Sequence, residues 1–452
     1  MKNSNNKVLI IIGIVLMNIL VVFMVAQSFM GKTSEYDEAL IAARAYVEKD
    51  LCSKAMEKYE DAVEIEDNID LRLEMISVFE KGLDSGEFTQ AYKIFNEIED
   101  AVNVFRTEPS VYEAACELLM KYEKYEDCAA LLMQARDLYV TSEKIEELRE
   151  QIRYTYKKHY SVYDDVQPTF DGMITAFKDE KYVYLTDEVA SSLDSGYIYG
   201  TSFSEGYAFV KTLNADGTER GFVIDKSGQR QFYVEGAESA SGFGRAVNSE
   251  GEQYILLTCK VGEAYKFFNL NGEQVFEDFA YAGRFRNNAA AVKTSDGKWS
   301  VIDGTGAVIG GKTFEDIVLN EFEECAAKGI IIAKENGKYH LYDNKLNQIG
   351  DFSCDGAKAF VDEYAAFMDG DKWGFVGADG TVLIEAQYED AKSFSNSMGA
   401  IKTADGWSFI NASNEIVIDE IFEDAGYLND KGICFIKNNG SWSYIIMYYT
   451  GK

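Results

Sequence analysis

The stretch DKWGFVGADGTVLIEAQYEDAKSF, Asp371–Phe394, carries a pattern that returns until the chain ends. An aromatic slot, Trp373, opens a hydrophobic strand; Gly380 closes a turn seven residues on, and Tyr388 ends a second strand fifteen residues on, with Asp390 two further. The same ruler placed on Trp299 finds Gly306, Phe314 and Asp316, and on Trp407 finds Asn414, Phe422 and Asp424. Weaker copies begin at Tyr182, Gly221, Tyr265 and Tyr339, the last with Leu346 in the turn and Cys354 in the aromatic position, and an eighth begins at Trp442. The slots are spaced 39, 44, 34, 40, 34, 34 and 35 residues apart, which marks a repeat architecture rather than a set of unrelated domains.

Within each unit, alternating strands such as GAIKTA, WSFINA and EIVIDEIF are separated by turns including Asn271-Gly272, Thr305-Gly306 and Asp379-Gly380. These are hairpins. A small sheet of this kind has an unburied face and open edges, so the units must stack, in a line or in a ring. The chain ends discriminate. The unit begun at Trp442 runs out before its aromatic-acidic element, whereas VYDDV at Val162–Val166, ahead of the first slot, has the form of QYEDA and IFEDA. Asp165 precedes Tyr182 by 17 residues, as Asp390 precedes Trp407. A terminal strand that completes the last unit predicts a seven- or eight-bladed β-propeller, eight on the slot count, over an open solenoid.

The Trp-Gly pair, intact at Trp373-Gly374, together with this spacing resembles the WG-containing repeat family over residues 161–452. The resemblance implies a β-rich repeat domain, frequently on exported or membrane-attached bacterial proteins, with no established chemistry. The repeat-defining residues Tyr182, Tyr265, Trp299, Tyr339, Trp373, Gly374, Trp407, Trp442, Phe314, Tyr388 and Phe422 are read as structural.

Upstream, Val8–Ala26 is nineteen residues without a charge and with Asn18 as its one polar side chain. As a helix at ~1.5 Å per residue it covers about one hydrocarbon core, so a transmembrane signal-anchor helix is expected over residues 8–30. Lys2 and Lys7 precede it, placing residues 1–7 in the cytoplasm of a single-pass bacterial membrane protein and the remainder outside. A signal peptide cleaved after Ser28 is the alternative.

Residues 33–160 switch to helical periodicity. The sets Ala55/Tyr59/Ala62, Ala91/Phe95/Ile98 and Cys128/Leu132/Ala135 recur at 36 and 37 residues. This small-large-small spacing resembles the second helix of the tetratricopeptide repeat, so an α-helical repeat domain of three helix pairs and a terminal helix over Ser142–Tyr160 is expected, with an irregular bundle as the alternative. Pro168 marks the change to the all-β region. The whole chain is thus a multidomain α + β protein.

Composition excludes several function classes. With 47% hydrophobic residues and two prolines the chain folds throughout, and a net charge of −32 without a basic patch disfavours nucleic acid. Seven cysteines without a CxxC pair read as buried thiols, and two histidines 181 residues apart support no metal site or catalytic triad. The loops starting at Asp225, Asn269 and Asp303 resemble fragments of calcium loops but lack the terminal bidentate Glu, so they read as turns. The acidic pairs Glu315/Asp316, Glu389/Asp390 and Glu423/Asp424 recur with the repeat, which favours a structural role over acid/base hydrolysis.

No catalytic, cofactor-binding or metal-ligating residue is therefore assigned. The expected function is a non-catalytic, membrane-anchored binding or scaffold protein whose partner is a protein or envelope polymer. The alternative is a cell-envelope glycan hydrolase using propeller carboxylates.

Overall fold

The computed structural model describes residues 34–89 and 91–451. The expected membrane-spanning helix over residues 8–30 lies outside the described residues, and no helix among those described is long and apolar enough to cross a membrane. The chain divides into two compact units, one holding residues up to Thr155 together with Tyr448–Lys452, the other Tyr156–Met447.

The first unit contains seven helices among the described residues: α1 (34–47), α2 (Cys52–Ile65), α3 (Ile69–Asp84), α4 (Ala91–Val104), α5 (Pro109–Lys121), α6 (Tyr125–Asp137) and α7 (Glu143–Gln151). The periodic residues pack inward: Ala55, Ala62, Cys128, Leu132 and Ala135 are fully buried, while Phe95 is half-buried. Small side chains at these positions let helix axes approach closely. The starts of α3 and α7 are satisfied by their own N-cap side chains. Asn68 accepts from the Leu71 amide at 3.0 Å and Ser142 from the Ile145 amide at 3.1 Å. At α2 the cap comes from a distance, with Glu87 accepting from the Cys52 and Ser53 amides at 2.8 Å. Those backbone donors hold its carboxyl below the usual range.

The terminal helix expected to reach Tyr160 instead ends at Gln151, and Tyr154–Tyr163 is a strand. Tyr154-Thr155-Tyr156 is a run of β-favouring residues. The Thr450 hydroxyl lies 2.8 Å and 3.0 Å from the Arg149 and Ile152 carbonyls, giving the end of α7 a hydrogen-bonding partner.

The second unit is an eight-bladed β-propeller. Blades 1 to 8 begin at Asp165, Tyr199, Ala237, Tyr281, Asp316, Gly356, Asp390 and Asp424. Six sheets have four strands; in blades 3 and 4 the fourth position is held by isolated bridges, Tyr265 to Phe279 and Trp299 to Phe314. Blade 8 takes its outermost strand from the other end of the array: Tyr154–Tyr163 pairs with Ser441–Tyr449. Tyr163 ends this strand as Tyr388 and Phe422 end theirs, and Asp165 then opens blade 1. The seam is packed as a core, with Tyr163, Ile174 and Leu185 against Ile433, Phe435 and Tyr444.

The fifteen-residue ruler is a cross-strand register. Tyr182 faces Tyr197, Tyr339 faces Cys354, Trp373 faces Tyr388 and Trp407 faces Phe422. In the turn between the paired strands, Gly380 adopts φ 84°, and Leu346 is forced to φ 61° at the matching place. Gly374 has a different reason: a Cβ there would sit 2.4 Å from the Ile384 carbonyl oxygen, so the strands can close only over a bare backbone.

Candidate functional site: the loop-floored mouth of the propeller

In each blade the innermost strand turns back toward the second strand on one face of the ring, and those turns surround the central channel. In blade 6 this connection runs from Lys358 to Glu363; in blade 5 it runs from Val318 to Gly329, twice as long. The extra length has a structure. Asn320 Oδ1 accepts from the Phe322 and Glu324 amides, both at 2.9 Å, an Asx arrangement that folds the loop on itself. The Glu323 carbonyl then accepts from the Arg284 amide at 3.1 Å, pinning the loop to blade 4. Gly283 permits this, since a Cβ there would stand 2.3 Å from the Glu323 oxygen.

Held this way, the loop reaches across the channel. Phe322 meets Phe170 of blade 1 with ring centroids 4.5 Å apart, and Glu321 accepts from the Tyr427 hydroxyl of blade 8 at 2.6 Å. Blades 1 and 5 stand four positions apart in a ring of eight, so the contact spans its diameter. The loop is a floor. Above it lies a cavity of about 550 Å³, with Phe170, Arg286, Phe322, Lys328, Asp362 and Asp430 among its lining.

In the floor and beside it, the side chain of Glu324 is 3% exposed and that of Arg284 1%, joined by a 3.1 Å ion pair. The Arg284 guanidinium also lies 4.2 Å from the Phe170 ring centroid and 5.0 Å from that of Phe322. Burial pulls its pKa below the ordinary arginine value, while Glu324 works against that shift. Its Nη2 has no aligned hydrogen-bond acceptor although Glu324 Oε1 is within ion-pair distance. Beside it, burial followed by the charge of Glu323 raises the Tyr281 hydroxyl, and burial pushes Tyr199 up to about 12. Tyr427 is raised by burial first and Glu321 second.

The residues singled out by sequence lie elsewhere, in the blades. Trp373 and Trp407 stand between blades under lysines at 4.8 Å and 5.1 Å, and those lysines, Lys358 and Lys392, reach Asp390 and Asp424 of the following blades at 2.7 Å and 3.0 Å. Lys293, Lys334 and Lys437 cover Trp299, Tyr339 and Trp442 in the same manner. The recurring acids other than Glu389 are consumed in this framework. Asp316 accepts from the Tyr339 hydroxyl, Glu315 from the Gly337 amide, and Glu423 from the Asn439 and Gly440 amides.

The calcium-like loops are likewise occupied by themselves. Asp225 Oδ1 accepts from the Ser227 and Gln229 amides, Asp303 Oδ1 from those of Thr305 and Ala307, and Asn269 Oδ1 from those of Asn271 and Glu273. Among the described residues no group of three or more His, Cys, Asp or Glu is placed to hold a metal. All seven cysteines are buried and unpaired. His340 contacts the Phe352 carbonyl at 3.2 Å, and His159 stacks on Tyr444 at 4.5 Å.

The sequence did carry a signal for the floor. The spacing from Trp299 to Tyr339 is 40 residues against 34 in the next two units, an excess of six, and the blade 5 connection is longer than that of blade 6 by the same amount, twelve residues against six.

The WG containing repeat family matches residues 267–299, 373–407 and 407–442. No curated protein matches the chain. Among solved structures, BamB from Moraxella catarrhalis is similar at 13% identity and TM-score 0.41, over 65% of this chain and all of that one. The WD40 domain of SCAP from fission yeast is similar at 8% identity and TM-score 0.41, over 66% of this chain and 99% of its own.

Proposed function

We propose, from the premise that the C-terminal region is a β-propeller of WG-containing repeats, that this chain is a non-catalytic binding or scaffold protein whose ligand enters the loop-floored mouth. One observation carries the reading: the channel is floored by a loop bonded to blades 4 and 8 and packed on blade 1, which leaves a concave, polar, preformed cavity open on one face. Three of the carboxylates around it are committed to partners within the fold. Glu324 is held by Arg284 and Asn320, Glu321 by Tyr427, and Asp362 by Lys328, which suits a shaped surface better than a proton-transferring pair.

The setting belongs to the same proposal. The apolar stretch Val8–Ala26 supports a single-pass anchor in a bacterial cell membrane, with the helical and propeller units on the extracytoplasmic side and a protein or envelope polymer as partner. The test is site-specific photocrosslinking in intact cells, with a photoreactive side chain at Asp430 in the mouth or at Leu213, an exposed position away from its lining. A discrete adduct from Asp430 and none from Leu213 is expected. Equal labelling from both, or from neither, rejects the mouth as the binding surface.

A further inference from the structure

The cavity lining includes a cation, Arg286, that has no ion-pair partner among the described residues. Lys328 pairs with Asp362 at 2.9 Å, and the second oxygen of Asp362 accepts from the Asn396 amide at 2.7 Å. Glu321 is taken by Tyr427, and Glu324 by Arg284 and Asn320. Arg286 is exposed and stacks 5.5 Å from the centroid of Phe170, but among the described residues no carboxylate stands within ion-pair distance of it. In a chain of net charge −32, a cation left without a counter-ion inside a cavity is a selective arrangement. The neighbourhood sharpens it, because the Phe170 ring also carries Arg284 at 4.2 Å: two guanidiniums share one phenyl, and Glu324 pairs with Arg284 alone.

Resting on the reading of the mouth as a binding surface, we propose that Arg286 receives a carboxylate of a partner polypeptide, an Asp or Glu side chain or a free C-terminus. A guanidinium lying on an aromatic face keeps its N–H edge free for a bidentate pair with a carboxylate. Covering the cavity with a peptide lowers the local dielectric and strengthens that pair, while the repulsion from the chain's distant acids is screened beyond about 8 Å at physiological salt. A peptide N–H group finds an acceptor nearby in Asp430, which lines the cavity and has no ion-pair or hydrogen-bond partner among the described residues. An acidic glycan offers carboxylates too, but it is served less well. The two phenyl rings are half-buried, tilted 57° to each other and already covered by guanidiniums, so they present no free platform for a sugar ring.

The test is selection of a randomised heptapeptide display library on the full chain and on its Arg286→Gln and Arg286→Lys variants. Synthetic copies of the enriched peptides are then titrated with free and amidated C-termini, beside an oligogalacturonate. Because Arg286 is exposed, both variants keep the melting temperature of the parent, which is measured alongside. The expected result is enrichment of one Asp or Glu, or of a free C-terminus that amidation abolishes, with affinity reduced at least tenfold in Arg286→Gln and partly kept in Arg286→Lys. Peptides that lack a carboxylate and bind Arg286→Gln equally overturn the carboxylate assignment while leaving the mouth a binding surface. No enrichment at all, with no glycan binding, overturns both. Oligogalacturonate binding that depends on Arg286, without peptide enrichment, replaces the polypeptide by an acidic glycan and overturns the proposal.

Discussion

Phe170 and Phe322 meet at 4.5 Å between ring centroids, one from the first blade and one from the fifth, and this contact closes the centre of the ring. It is the only aromatic pair, among those of the described residues, that joins blades so far apart around the circle. Its partners are the buried guanidinium of Arg284 and, through Glu321, the hydroxyl of Tyr427.

Replacing Phe322 with Ala removes the ring that meets Phe170 and uncovers Arg284. Phe-to-Ala changes in cores cost about 3–5 kcal/mol, and Phe322 is half-buried, so a loss of about 2 kcal/mol is expected in urea unfolding. Phe322→Leu restores most of it.

The Arg284–Glu324 pair makes a double-mutant cycle informative. Arg284→Met alone strands a carboxylate whose side chain is 3% exposed, and Glu324→Met alone strands a guanidinium that is 1% exposed. Each single change is expected to cost about 3–5 kcal/mol, whereas the double change recovers most of that loss because no unpaired charge remains. Additive losses in equilibrium unfolding would show that the two groups do not depend on one another.

His159 gives the closing strand a pH dependence. Burial, and then the charge of Lys157, lowers its pKa from the ordinary value of 6.5, and its ring lies flat on Tyr444 with Nε2 buried and unpartnered. A group with a depressed folded pKa contributes stability that is whole above the unfolded pKa and is lost as pH falls through the folded one. The melting temperature of the parent should therefore decline from about pH 6.5 downward. His159→Phe, which keeps the stacking and removes the titration, should flatten that decline; curves of equal slope would exclude His159 as its source.

Leu346 sets strain against burial. Its φ of 61° costs about 1 kcal/mol for a side chain with a Cβ, but the same side chain is 1% exposed in a cluster with Phe314, Tyr342 and Trp299. Burial of a leucine is worth more, so Leu346→Gly is expected to lose about 2 kcal/mol in thermal or urea unfolding despite relieving the backbone. A gain in stability would mean that strain outweighs packing at this turn.

The sequence alone was enough for the repeat, for a count of seven or eight units and for closure by an N-terminal strand, because these depend on local periodicity and on matching a fragment at one end to a gap at the other; the structure decided eight. The fifteen-residue ruler from Trp373 to Tyr388 is a hairpin register, and a register is written in consecutive residues. The terminal strand was harder: Tyr154–Tyr163 was expected to be mostly helix, and what makes it a strand is its pairing with Ser441–Tyr449, at the far end of the repeat array.

The mouth was legible only as a length anomaly, the six extra residues between Trp299 and Tyr339. Nothing local in NEFEEC distinguishes its acids from those of EDAK or FEDA. Which carboxylates are consumed, by Arg284, Tyr427 or Lys328, and which cation, Arg286, is left over, depends on side chains from four separate blades meeting at the axis of the ring. Periodicity determined the blades because each blade is made of neighbours in sequence. The site was decided by the tertiary structure, because charge balance at the centre is a sum over residues that only the closed ring brings together.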